Sequence, residues 1–127
     1  MNFEKIVFGF FILLALTMNF SFVSGEIDNV RNHSVWLLLV AIVVNVLATG
    51  LKLGERSQTG ALQLATALVA DLQLFAAAIV WAVATHTTES GVTPDVMALI
   101  VSLAQGALIA NVVSVVIVVV ETLMARR

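Results

Sequence analysis

Four long apolar runs, separated by short polar stretches, decide what this chain can fold into. They read from about Ile6 to Val23, Val35 to Leu53, Gly60 to Thr85 and Pro94 to Leu123. A hydrocarbon core roughly 30 Å thick is crossed by about 20 helical residues, and each run is close to that length or longer. In lipid, backbone amides must bond within a helix or a closed barrel. Barrel strands alternate apolar and polar residues, and these runs do not. All four are read as helices, giving one all-α integral-membrane domain over residues 1–127. Composition agrees. Of 127 residues 61% are hydrophobic and 11% charged, too little charge to cover a soluble domain of this size.

Local signals mark the ends. Ser34 is positioned to cap the second helix. Thr93-Pro94-Asp95 supplies a cap, a proline at the first helical position and an acid in the first turn of the fourth. The run GERSQTG, with Gly54 at its start, forms a short turn between the second and third. The first run resembles a secretory signal with VSG before Glu26. Its apolar part is long for such a signal, and Glu4 sits beside Lys5, so it is read as a span.

Orientation follows the basic residues. Lys5, Lys52, Arg56, Arg126 and Arg127 fall at the termini and second loop, against Arg31 alone in the first and third loops. The positive-inside rule places both termini in the cytoplasm. Glu26, Asp28, Glu89 and Asp95 then make the outer loops acidic, which either concentrates cations there or is an ordinary solvated loop surface. Trp36 and Trp81 fit an outer aromatic belt. His33 and His86 lie in outer loops near acids without metal-ligand spacing, and solvated histidines are the plainer reading.

The segment LVADLQLFAAAIVW (68–81) holds an acid, Asp71, near the middle of a span. A charge at that depth costs about 2.5–3.5 kcal/mol on insertion scales. Three roles compete. Asp71 faces a hydrated path or ion site; it is protonated and hydrogen-bonds an amide such as Gln105 or Asn45; or it is an assembly determinant pairing with another subunit or with a partner's basic residue. No basic residue is expected at matching depth. Asn19, Asn45, Gln63, Gln73, Gln105 and Asn111 are the side-chain amides in the spans, and interhelical glue is the plainer role of the asparagines. At 100° per residue Gln63, Ala67, Asp71 and Ala78 share one face of the third helix, and Thr66, Ala70, Gln73 and Ala77 share another. Two small-residue faces suggest neighbours on both sides, as in an oligomer.

Ser102, Gly106, Ala110 and Ser114 repeat small residues at every fourth position of the fourth helix. Such a seam lets helix backbones approach closely; the sequence leaves open whether it lies within or between subunits. AIVVNV (41–46) and ALIANV (107–112) hint at a duplicated hairpin, with LTMNF and ADLQLF as the partner pair. Chance among apolar segments explains the likeness equally. If the alignment is real, the second hairpin is longer on its outer side.

Several chemistries are absent from the sequence. Without cysteine there is no disulfide or thiolate site. A net charge of −2 does not suit nucleic-acid binding. Nucleotide loops, GxSxG and HExxH are missing. No metal site or cofactor is expected, and the chain is not expected to be an enzyme.

The runs FFILLALTMNF, GEIDN, ATGLKLGERSQTGA, LATALVADLQLFAAAIVWA and NVVSVVIVVVETLM give a resemblance over nearly the whole chain. The chain resembles a family of small, uncharacterised four-helix bacterial inner-membrane proteins known only as a domain of unknown function. The resemblance implies a multi-pass inner-membrane location and company with potassium-uptake systems. It assigns no site residue. The residues themselves point to a homo-oligomer that conducts or couples to a cation or proton. Asp71 is its central acid, helped by Gln63, Gln105, Asn111 and Asn45. The alternative is a non-conducting accessory subunit of a larger membrane transporter or respiratory complex.

Overall fold

In a computed structural model the described residues are 3–25, 29, 33–54 and 57–125. Four helices account for most of them: α1 (Phe3–Val23), α2 (Val35–Lys52), α3 (Gln58–Thr87) and α4 (Pro94–Ala125). All four are long and apolar enough to cross a membrane. The bounds lie within three residues of those expected from sequence. Glu26, Asp28, Arg31, Arg56, Arg126 and Arg127, on which much of the charge argument rests, lie outside the described residues.

The caps explain where the chain turns. The Ser34 side chain accepts from the Trp36 N–H (3.3 Å) and opens α2. Ser57, which the sequence reading did not single out, does the same for α3 through the Gly60 N–H (2.9 Å). Thr93 Oγ1 accepts from the Val96 N–H (3.3 Å) just before Pro94. After Lys52 the chain leaves the helix through Leu53, whose N–H returns to the Gly50 carbonyl. Gly54 follows with φ 83°, a left-handed conformation that a side chain disfavours.

The helices pack as a ring, with α1 against α2 and α4, and α3 against α2 and α4. The lengths are unequal. At 1.5 Å per residue α3 and α4 run ~45 Å or more, whereas α2 runs ~27 Å. The core divides in two. A large cluster holds Phe22, Leu38, Leu74, Met97, Ile100 and Val101 among others, and a small one holds Phe8, Ile12 and Ala48. Alanines dominate the facing surfaces of α3 and α4, which lets the two longest helices lie close.

His33 differs from the solvated histidine expected. It is buried, its Nδ1–H donates to the Phe22 carbonyl (2.5 Å), and its ring lies 5.7 Å from that of Phe22. A carbonyl only accepts, so Nδ1 carries the hydrogen. The bond ties the entry of α2 to the last turn of α1. Trp81 joins the same corner, 6.3 Å from the Phe22 ring.

Candidate functional site

Between the two apolar clusters the bundle interior turns polar. Along α2, Asn45 falls between Ala41 of the large cluster and Ala48 of the small one. Along α4, Asn111 and Ser114 fall between Ala110 and Val115. Gln63 and Asp71 enter from α3 and are also buried. Helical spacing explains the α3 pair: residues eight apart are separated by two turns and share a face.

Asp71 is 8% exposed. Its partner is Thr49 of α2, whose Oγ1 lies 2.5 Å from Asp71 Oδ2. The same hydroxyl lies 2.9 Å from the Asn45 carbonyl one turn back. Asn45 in turn donates Nδ2–H to the Ala41 carbonyl (2.9 Å). The sequence reading proposed Asn45 or Gln105 as the partner of Asp71. The structure brings Thr49 instead, because Asn45 bonds along its own helix and Gln105 is exposed on the outside of the bundle. A signal was available: Thr49 lies four residues after Asn45 and must share its face.

A second polar contact joins α3 to α4. Gln63 Nε2–H donates to the Ser114 carbonyl (3.1 Å), and Thr66 Oγ1 and Ser114 Oγ lie 2.6 Å apart. Asn19 of α1 closes the ring. Its Nδ2–H donates to the Ala104 carbonyl and its Oδ1 accepts from the Leu108 N–H, each at 3.0 Å. Asn19 is therefore helix glue. The other interior groups are less complete. Asp71 Oδ1, Asn45 Oδ1, Asn111 Oδ1 and Gln63 Oε1 are buried oxygens without a hydrogen-bond donor. Leaving a buried acceptor unmet costs about 1–3 kcal/mol, and buried water ordinarily meets such groups.

The seam on α4 lies largely inside one bundle. Ser114 meets Thr66, and a Cβ placed on Gly106 would overlap the Gln73 side-chain amide. Ser102 does not take part; it is exposed and bonds the Ala98 carbonyl of its own helix. The two small faces of α3 likewise need no second subunit. One meets α2 through Asp71 and Thr49, and the other meets α4 through Thr66 and Gln73. Outside the bundle, Ala65, Thr66, Val69, Gln73, Gly106, Ile109 and Ala110 line an open, mostly apolar cleft of about 460 Å³.

One basic residue turns inward, contrary to expectation. Lys52 is 7% exposed and its Nζ sits 4.4 Å above the Phe8 ring. It follows Thr49 by three residues, so it lies one turn beyond the Asp71 contact. Asp71 is mid-helix on α3 yet one turn from the end of α2. The N-terminus of α3 consequently runs ~15 Å past that end. Among the described residues, no group of three or more histidine, cysteine or acidic side chains could hold a metal ion.

Residues 32–122 match a family of unknown function (DUF6394). The chain belongs to that family. The matched span holds all of α2 and α3 and most of α4, and with them every polar residue of the interior layer except Asn19 of α1. No curated protein and no solved structure matches the chain.

Proposed function

We propose that this protein is a multi-pass bacterial inner-membrane protein that takes up a proton or cation at Asp71, in conduction or in coupled transport. One observation carries the reading. A carboxyl group lies inside a bundle of membrane-length helices, is bonded to a neutral hydroxyl, and has one oxygen that no donor meets. Intramembrane acids are costly and are functional by default. The unmet amide oxygens of Asn45, Asn111 and Gln63 extend the same acceptor character along the interior, which suits a positively charged or hydrated guest. Because Asp71 points into its own bundle, the path runs within each copy and does not require the axis of an oligomer. The large apolar cluster, with Leu38, Leu74, Met97 and Ile100, closes the end of the bundle away from Lys52. The small cluster of Phe8, Ile12 and Ala48 and the Lys52–Phe8 contact lie toward the other end, so a guest reaching Asp71 from the cytoplasmic side passes them.

The test is cation and proton flux into liposomes holding the purified protein, wild type beside Asp71→Asn. Wild-type flux that falls at least tenfold in the variant, with the helical content unchanged, supports the reading. Absence of flux in the wild type refutes it.

A second reading has its own observation. Gln105 and Ser102 are exposed beside the cleft between α3 and α4. Polar side chains on a lipid-facing surface favour a protein neighbour, either a second copy of this chain or a larger transporter for which it is an accessory subunit. A partner that co-purifies, together with loss of the protein from the membrane when that partner is deleted, would favour the accessory role.

A further inference from the structure

Thr49 stands between two acceptors. Its Oγ1 is 2.5 Å from Asp71 Oδ2 and 2.9 Å from the Asn45 carbonyl. A hydroxyl carries one hydrogen and can place it on one of those lines at a time. Two arrangements use every hydrogen. With Asp71 ionised, Thr49 donates to the carboxylate, and the Asn45 carbonyl keeps its bond in the helix ladder. With Asp71 protonated, the carboxyl O–H donates to Thr49 Oγ1, and Thr49 donates onward to the Asn45 carbonyl. The proton of Asp71 therefore sets which way the Thr49 hydroxyl turns.

The consequence falls on α2. A threonine hydroxyl bonded to the carbonyl four residues back tends to bend the helix, and turning it away removes that bond. Thr49 sits in the last turn of α2, three residues before Lys52, whose ammonium lies over the Phe8 ring of α1. A change in the last turn of α2 is thus passed to the contact that lines the inner end of the bundle. Among the described residues the other buried titratable groups are Lys52, on the same helix, and His33, at the opposite end of α2. The groups contributed by α4 to this layer, Asn111 and Ser114, do not titrate.

We propose that Thr49 is a positioning residue that couples the protonation of Asp71 on α3 to the shape of α2. The inference rests on the proton-uptake form of the reading above. Thr49 neither gains nor loses a proton. The proton comes from water and returns to it, and the O–H bond of Thr49 only rotates.

The test follows the Thr49 methyl resonance in methyl-labelled protein in lipid nanodiscs across a pH titration, with proton flux measured in liposomes alongside. The resonance is identified as the one lost in Thr49→Val. A resonance that shifts with pH in the wild type and stays fixed in Asp71→Asn supports the proposal. So does pH-dependent flux that is kept in Thr49→Ser and lost in Thr49→Val. A shift that persists in Asp71→Asn overturns it, since another group is then being sensed. Asp71-dependent flux with a stationary Thr49 resonance overturns the coupling while leaving the function intact. No flux and no shift overturns both.

Discussion

Gly106 offers a quantitative check on how α3 and α4 meet. A Cβ added there would fall too close to the oxygen, nitrogen and carbon of the Gln73 side-chain amide. Gly106→Ala must therefore push that amide aside. The amide oxygen of Gln73 has no donor in the native arrangement, so moving it breaks no hydrogen bond to that atom. Gln73 also borders the open cleft and has room to move. The cost is then mainly that of an unfavourable rotamer, about 0.5–1.5 kcal/mol. The usual helix-propensity gain of alanine over glycine, about 1 kcal/mol in water, does not offset it when the reference state is already helical. Gly106→Ala is expected to destabilise the bundle by about 1 kcal/mol on this ground, and by close to nothing in a Gln73→Ala background. The assay is unfolding in mixed micelles with increasing SDS, followed by circular dichroism, as a double-mutant cycle. An equal loss in both backgrounds would show that Gln73 is not what Gly106 accommodates, and would refute the packing argument.

Other expectations are as direct. Asn19→Leu removes two bonds to α4, but Ala104 and Leu108 keep their own helix bond. The loss should stay near ~1 kcal/mol, and a loss above about 3 kcal/mol, the range for a buried group left unmet, would contradict that accounting. Lys52→Met deletes the contact with the Phe8 ring. A penalty of up to about 2 kcal/mol is expected for a desolvated pair of this kind, and it should be smaller in a Phe8→Leu background by the share that the ring contact contributes. Lys5→Ala removes an ion pair of 4.0 Å with Glu121 in which both groups are partly exposed, and thermal unfolding should move little because such pairs contribute about 0–1 kcal/mol. The chain has no cysteine, so Ser57→Cys and Ser90→Cys can be labelled singly with an impermeant maleimide. With the second loop inside and the third outside, only Ser90→Cys should label from outside intact cells; labelling of Ser57→Cys there would overturn the proposed orientation.

The helices themselves were legible in the sequence, down to the caps at Ser34 and Thr93, because backbone hydrogen bonding and apolar length admit few alternatives. The need of Asp71 for a partner was legible too, from the cost of burying a carboxyl group. The identity of that partner was not. Apolar residues run almost all the way round α4, so composition gives little indication of which side faces inward. Gln105 and Asn111 look alike in such a helix, yet Gln105 lies outside and Asn111 inside. Periodicity says which residues share a face, but not how each helix is rotated against its neighbours. Packing fixes that rotation through close contacts such as Gly106 with Gln73 and Ser114 with Thr66. It also turns Lys52 and His33 inward, against their hydropathy, because Phe8 and the Phe22 carbonyl receive them there. Sequence alone determined the four helices and the presence of an acid among them; the tertiary structure decided that this acid meets Thr49 one turn from the end of α2, because only the packed rotation of α2 against α3 brings those two side chains together.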